Sequence, residues 1–254
     1  MKILKKIGKL LMITVFWLGI WMLAAHKVGK PLLFPYPKEV LLRLWEMMQT
    51  EDFYRITAIS LGNVFKGILI AVLLGVALAV LTSRIKLLRD LLLPAMTVVK
   101  ATPVASFIVL AMILIGSAKI PTFITFLIVL PVVWTNLDEG FLKIDPNLIE
   151  VTKVYKMSFF RRLRVLTLPS LKPYFVSACR ASIGLAWKAG VAAEIIAMPK
   201  NTIGTMIGEA KLYIESTTMF AWTLTVILLS LVIEFLFTKL LGYLVRTHDT
   251  KEVA

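Results

Sequence analysis

The sequence predicts an all-α integral membrane protein with six transmembrane helices, and three observations lead there. Hydrophobic residues make up 59% of the 254-residue chain and charged residues only 17%, whereas a soluble domain of this size carries about 25% charge. Mean hydropathy is +0.85. Apolar runs fall at residues 10–25, 59–81, 91–116, 121–137, 173–198 and 219–245, and polar or basic segments separate them. The whole chain, 1–254, reads as a single transmembrane domain.

The first run follows Lys2, Lys5, Lys6 and Lys9. A basic start before a short apolar stretch also describes a signal peptide. No small-x-small cleavage site follows cleanly, and Trp17 and Trp21 suit a retained span. Residues 26–56 are polar and hold Pro31, Pro35 and Pro37, then an amphipathic stretch from Lys38 to Met48. The second run is long enough, at about 1.5 Å per residue, to cross a hydrocarbon layer of about 30 Å. Gly67 and Gly75 give it small surfaces for close helix contact, and Lys66 is placed to snorkel outward. A basic turn of Arg84, Lys86 and Arg89 leads to the third run, which Pro94 and Pro103 interrupt and which holds Lys100. Residues 117–120 connect it to the fourth. The fifth contains Arg180, Gly184, Lys188, Gly190 and Glu194, and residues 199–217 read as a polar loop before the sixth.

The net charge of +14 suggests nucleic acid at first sight. The basic residues, however, form no single face with interleaved aromatics. They collect between the apolar runs, as membrane topology requires. With six spans both termini share a side. That side carries sixteen Lys and Arg residues in its segments against eight on the other, so the termini and the 140–172 loop are expected in the cytoplasm. One cysteine, Cys179, allows no internal disulfide and no cysteine metal cluster; a buried packing thiol is the simpler reading. His26 and His248 are too few and too far apart for a metal site. No GxxxxGK[ST] motif or other phosphate-cradling loop is present, so the chain is not expected to hydrolyse ATP. No internal repeat supports an inverted-repeat carrier.

The longest basic, charged stretch is 145–169, DPNLIEVTKVYKMSFFRRLRVLTLP. Asp145 is placed to cap a helix with Pro146 at its first position, where the missing N–H has no consequence. That helix is expected to run through Glu150 to about Met157. Ser158 can cap a second, from Phe159 to Leu166, which Pro169 ends. Phe159, Phe160 and Leu163 then stand among Arg161, Arg162 and Arg164. One reading is a basic amphipathic segment lying on lipid headgroups. The other is an apolar knob with a cationic rim that inserts into a soluble partner.

These residues resemble the signature loop of binding-protein-dependent ABC importer permeases. There the motif is Glu-Ala-Ala, three residues, Gly, nine residues, Ile-x-Leu-Pro. Counted from Glu150, the glycine falls at Lys156 and the last part at Leu166 to Pro169, including Leu168. Val151 and Thr152 replace the alanines, and Lys156 replaces a glycine that would allow positive φ between the two helices. The run Leu33 to Val40 resembles the segment after the first span in the branch that includes nitrate, sulfonate, taurine and thiamine-precursor importers. The resemblance favours docking over the lipid surface. It implies a type I permease fold of one peripheral helix and a five-helix core, paired as a homodimer in the bacterial cytoplasmic membrane. Two cytoplasmic ATP-binding-cassette ATPase subunits and an extracytoplasmic solute-binding protein are the implied partners. Glu150, Lys156, Ser158, Phe159, Phe160, Arg161, Leu168 and Pro169 are then the expected coupling residues, and the chain carries no catalytic, cofactor or metal site of its own.

Ionisable residues inside spans are costly and usually face a bundle interior or a water-filled path. Lys100, Lys188 and Glu194 are candidates to line a path for a small polar or anionic solute, and internal pairing is the alternative for each. Arg180 and Glu194 project about 40° apart on one helix but lie about 21 Å apart along it, so they cannot pair directly. In the resembled branch these two positions look architectural. A secondary carrier would not need the 150–169 loop, and a membrane enzyme would need paired carboxylates or a His/Asp cluster at membrane depth, where only Glu194 stands.

Overall fold

The computed structural model describes residues 2–249. All of its regular structure is helical: α1 (Lys2–Val28), α2 (Pro37–Met48), α3 (Glu51–Thr82), α4 (Lys86–Ala101), α5 (Val104–Ile115), α6 (Ile120–Leu142), α7 (Pro146–Val154), α8 (Phe159–Arg162), α9 (Leu168–Ala197), α10 (Ile203–Leu212) and α11 (Ser216–Asp249). By length and composition α1, α3, α6 and α11 can each cross a membrane, and α4 with α5 makes a further, broken candidate. The helix α9 is 30 residues long, but Lys172, Arg180, Lys188 and Glu194 make it more polar than these.

The centre of the bundle is α6, packed between α3 and α9. The sequence explains the closeness of the first pair. A Cβ on Gly67 would stand 2.6 Å from the Thr122 carbonyl oxygen, and one on Gly75 would stand 2.8 Å from Val133 Cγ1. Both glycines of α3 therefore bring its backbone against α6. Trp134 is fully buried at this contact and donates its indole N–H to Thr82 Oγ1 at 3.2 Å. Large apolar side chains on the outer faces, such as Leu73, Leu114 and Leu231, are exposed as lipid-facing surface requires. The peripheral helix is α1. Its attachment is local: Trp21 donates to the Pro35 carbonyl at 3.1 Å, and its ring meets Phe220 at 6.0 Å. The amphipathic α2 begins at Pro37 as its sequence suggests and buries Val40, Leu44 and Met47 against the bundle.

Four expectations need correction. The third apolar run is two helices, bent by 105° where Thr102 and Pro103 interrupt it. Pro94 lies inside α4 without breaking it, so Pro103 alone sets the break. Second, Pro169 does not end a helix. The backbone widens to π geometry over Leu163–Thr167 and then continues as α9. A proline within a helix clashes with the carbonyl four residues earlier, and a π-turn just before it gives that carbonyl room. Third, the 140–172 loop accordingly merges into the following helix. Fourth, the polar segment 199–217 contains α10, whose Ile203, Gly204, Thr205, Gly208 and Ala210 are buried.

Candidate functional site

At one end of the bundle the chain leaves α6 and folds into α7 and α8. Asp145 caps α7, accepting from the Asn147 amide at 2.8 Å, with Pro146 at the first helical position. Thr152, in a motif alanine position, is buried and donates to the Ile149 carbonyl at 2.7 Å; Val151, in the other, is exposed. The helix ends in a Schellman turn. The Lys156 amide donates to Lys153 O at 2.9 Å, and the Met157 amide donates to Thr152 O at 3.0 Å. Lys156 holds φ +45° at the left-handed position of that turn. The glycine geometry is thus kept with a lysine, at a cost of about 1–2 kcal/mol.

Ser158 stands at the head of α8 with extended backbone, but its hydroxyl caps nothing in the helix. Phe159 and Phe160 follow, 49% and 79% exposed, with their rings edge to face at 5.6 Å. The Arg84 guanidinium covers Phe159 at 5.2 Å from the ring centre. Phe160 has no such cover among the described residues. Glu150, Lys156, Arg161, Leu168 and Pro169 are all exposed, whereas Leu166 is buried and anchors the loop. The coupling residues named from sequence are thus exposed but spread over α7, the turn at Lys156, α8 and the start of α9, and Phe160 is the most exposed aromatic among them.

A contact not foreseen from sequence fixes α4 to α6 beside this element. Arg89 Nε donates to both oxygens of Asp138, at 2.8 and 3.0 Å. It joins the first turn of α4 to the end of α6, just ahead of α7. The Asp138 side chain is 8% exposed, so removing Arg89 alone would leave a nearly buried carboxylate without its charge partner. An acid at the end of an apolar helix and an arginine in a basic turn were the available signals; their separation of 49 residues hid the pairing.

The three candidate path residues are not gathered at one point. Lys100 lies one turn before the Thr102–Pro103 break and donates to Thr135 Oγ1 on α6 at 3.0 Å. Lys188 is exposed and lies with Ala181, Leu185, Ala192 and Ile196 along the outer stripe of α9. Neither lysine has an ion-pair partner among the described residues. Glu194, on the opposite face, is fully buried. One carboxylate oxygen accepts from Ser60 Oγ at 2.8 Å and from the Gly204 amide at 3.1 Å, and Ser60 Oγ accepts from the Ile203 amide at 2.9 Å. Glu194 thus joins α3, α9 and the start of α10, and it does so through hydrogen bonds rather than the lysine pairing considered from sequence. A buried donor left without its acceptor costs about 1–3 kcal/mol, so this carboxylate holds α10 in place. Gly190 adds to the packing, since a Cβ there would stand 2.5 Å from Val64 Cγ2, while Gly184 faces open space.

The family model described as "Binding-protein-dependent transport system inner membrane component" matches residues 67–244. The bicarbonate transport system permease protein of Synechocystis sp. is 31% identical over 157 residues, 61% of this chain and 55% of that relative. Its counterpart in Synechococcus elongatus is 29% identical over 157 residues, 61% of this chain and 56% of that protein. This chain therefore spans little more than half the length of these two curated relatives. The taurine transport system permease protein of Escherichia coli is 23% identical over 235 residues, 90% of this chain and 84% of that relative.

Proposed function

Since the chain belongs to the binding-protein-dependent transport system inner membrane components, we propose that it is the permease subunit of an ATP-binding-cassette importer. Its solute is small and polar or anionic, in keeping with relatives named for bicarbonate and taurine. Two copies form the path, two cytoplasmic ATPase subunits drive it, and an extracytoplasmic binding protein delivers the solute. Six spans follow if α4 and α5 together cross once and α9 crosses despite its charges. The observation that supports the reading is the turn at Lys156, φ +45°, which keeps the glycine geometry of the resembled loop between α7 and the exposed Phe159–Phe160 step. ATP binding closes the ATPase pair, draws the docking elements together and turns the core outward; hydrolysis resets it. The solute shifts this equilibrium only by binding the two states unequally.

The test is uptake into proteoliposomes. Labelled bicarbonate, taurine and nitrate are offered to the permease alone, with its ATPase, and with ATPase and binding protein. Uptake of one of them is expected only in the complete, ATP-fuelled system. Uptake by the permease alone would identify a secondary carrier.

Orientation is tested separately, in a Cys179→Ala background. Thr50→Cys and Asn201→Cys, both at exposed positions, should react with an impermeant thiol reagent added to intact cells. Lys156→Cys should react only once the membrane is opened. Labelling of position 156 from outside would place the docking element on the wrong side.

A further inference from the structure

Behind the docking element lie two cavities that share walls. The first, of about 660 Å³, is lined chiefly by apolar side chains, among them Val76, Val80, Leu137, Phe141 and Phe175. The second, of about 570 Å³, also touches Val80 and Phe141, but its other walls carry Arg84, Lys86, Arg89 and Arg162. Both volumes fall in the range of small-molecule sites, about 300–1,000 Å³. The charges of the second cavity are unbalanced. Asp138 is its one acidic lining residue, and Arg89 is committed to it. Arg84 rests on the Phe159 face, which leaves its N–H edges unused by that contact. Among the described residues, Lys86 and Arg162 have no ion pair. Three cations therefore face one cavity with no acid of their own.

The position of this pair of cavities matters as much as the charge. The basic cavity sits where α3 ends at Thr82, α4 begins at Lys86 and α6 ends at Leu142. That is the headgroup level of a bundle whose apolar helices start there. The apolar cavity runs from the same walls along α3, α6 and α9. A free anion would use only the basic cavity; a neutral lipid would leave the three cations uncompensated.

We propose that the two cavities together hold one anionic phospholipid. Its phosphate lies among Arg84, Lys86 and Arg162, and an acyl chain lies along Val76, Val80 and Phe175. Basic pockets between membrane helices recognise anionic headgroups in this way. Because Arg84 comes from the turn before α4 and Arg162 from α8, the bound phosphate bridges the bundle to the docking element. The proposal rests on the orientation given above only for which leaflet supplies the lipid. Lipid retention by the purified chain needs neither ATPase nor solute, so failure to assemble an importer and failure to hold lipid are separate results.

The experiment is native mass spectrometry and thermal unfolding of the full-length permease, with phosphatidylglycerol or phosphatidylcholine of identical acyl chains. One phosphatidylglycerol per chain should survive detergent exchange and raise the melting temperature; phosphatidylcholine should do neither. The double variant Arg84→Gln, Lys86→Gln should hold phosphatidylglycerol about thirtyfold more weakly, at about a fivefold loss per basic residue. Lys86→Gln alone should lose about fivefold and serves if the double variant does not fold. Val80→Trp, which fills the shared wall, should also weaken retention. Equal retention by wild type and Lys86→Gln would overturn the proposal. So would equal stabilisation by inorganic phosphate, which would make the site one for a free anion. Loss of the lipid when the ATPase subunits or a second permease copy bind would show that a protein surface covers the cavities instead.

Discussion

Phe160→Asp should abolish the stimulation of ATP hydrolysis by solute-loaded binding protein while the permease inserts and assembles normally. Phe160 is 79% exposed in the isolated chain, so a charge there costs the fold little, and surface changes of this kind usually stay within about 0.5 kcal/mol. At a docked interface the same carboxylate replaces an aromatic anchor at the centre of the contact. Truncation of such an anchor costs about 2–4 kcal/mol, and a buried, unpaired charge adds to that. Stimulation should therefore fall by at least about thirtyfold. Phe160 is a cleaner probe than Phe159, because Phe159 also supports Arg84 at 5.2 Å and its loss would disturb the 83–85 turn before α4. The measurement is ATPase rate with and without loaded binding protein, together with dimer yield and melting temperature. Wild-type stimulation in a well-inserted variant would sink the docking model and return the 145–169 segment to the lipid surface.

The parts of this structure that follow from local rules were legible in the sequence. Asp145-Pro146 gave the start of α7, and the spacing from Glu150 placed the turn at Lys156, where the backbone does adopt positive φ. Gly67 and Gly75 foretold the close approach of α3 to a neighbour. What could not be read depends on contacts between segments far apart. Residues 203–212 look like loop, with two glycines and a threonine in ten residues. They become helical because Thr202 caps them and because Glu194 and Ser60 take up the first amides. Pro169 reads as a stop under the rules for α-helices, and only the π-turn before it removes the conflict. Pro103 marked a disturbance correctly, but its angle of 105° depends on how α4 and α5 each find α6. The polar residues at depth were the hardest. Nothing in the periodicity separates Glu194, which bonds to its own chain, from Lys188, which faces outward.

That separation decides what Lys188 should do. Its neighbours on the outer stripe of α9 are Ala181, Leu185, Ala192 and Ile196, small or apolar residues that leave the ammonium without a polar partner on that face. A charge in the middle of a membrane helix is costly unless water, a carboxylate or a solute compensates it. Within the described chain the one carboxylate on α9, Glu194, is buried on the other side and already bonded. Compensation must then come from the path, or from a second copy. If Lys188 lines the path, Lys188→Met should lower solute uptake and solute-stimulated hydrolysis by about tenfold, about 1.4 kcal/mol. Basal hydrolysis, dimer yield and melting temperature should stay at wild-type values, and Lys188→Arg should restore part of the uptake by keeping the charge. If Lys188 pairs with an acid of the other copy, the same Met substitution strands that acid, and dimer yield and melting temperature should fall first. We expect the former result, because the stripe around Lys188 is built of small or apolar residues, with Gly184 facing open space, and leaves room for solute beside it. Wild-type uptake together with wild-type stability would take Lys188 out of both roles and leave Lys100, held to Thr135 at 3.0 Å, as the remaining cation of the path.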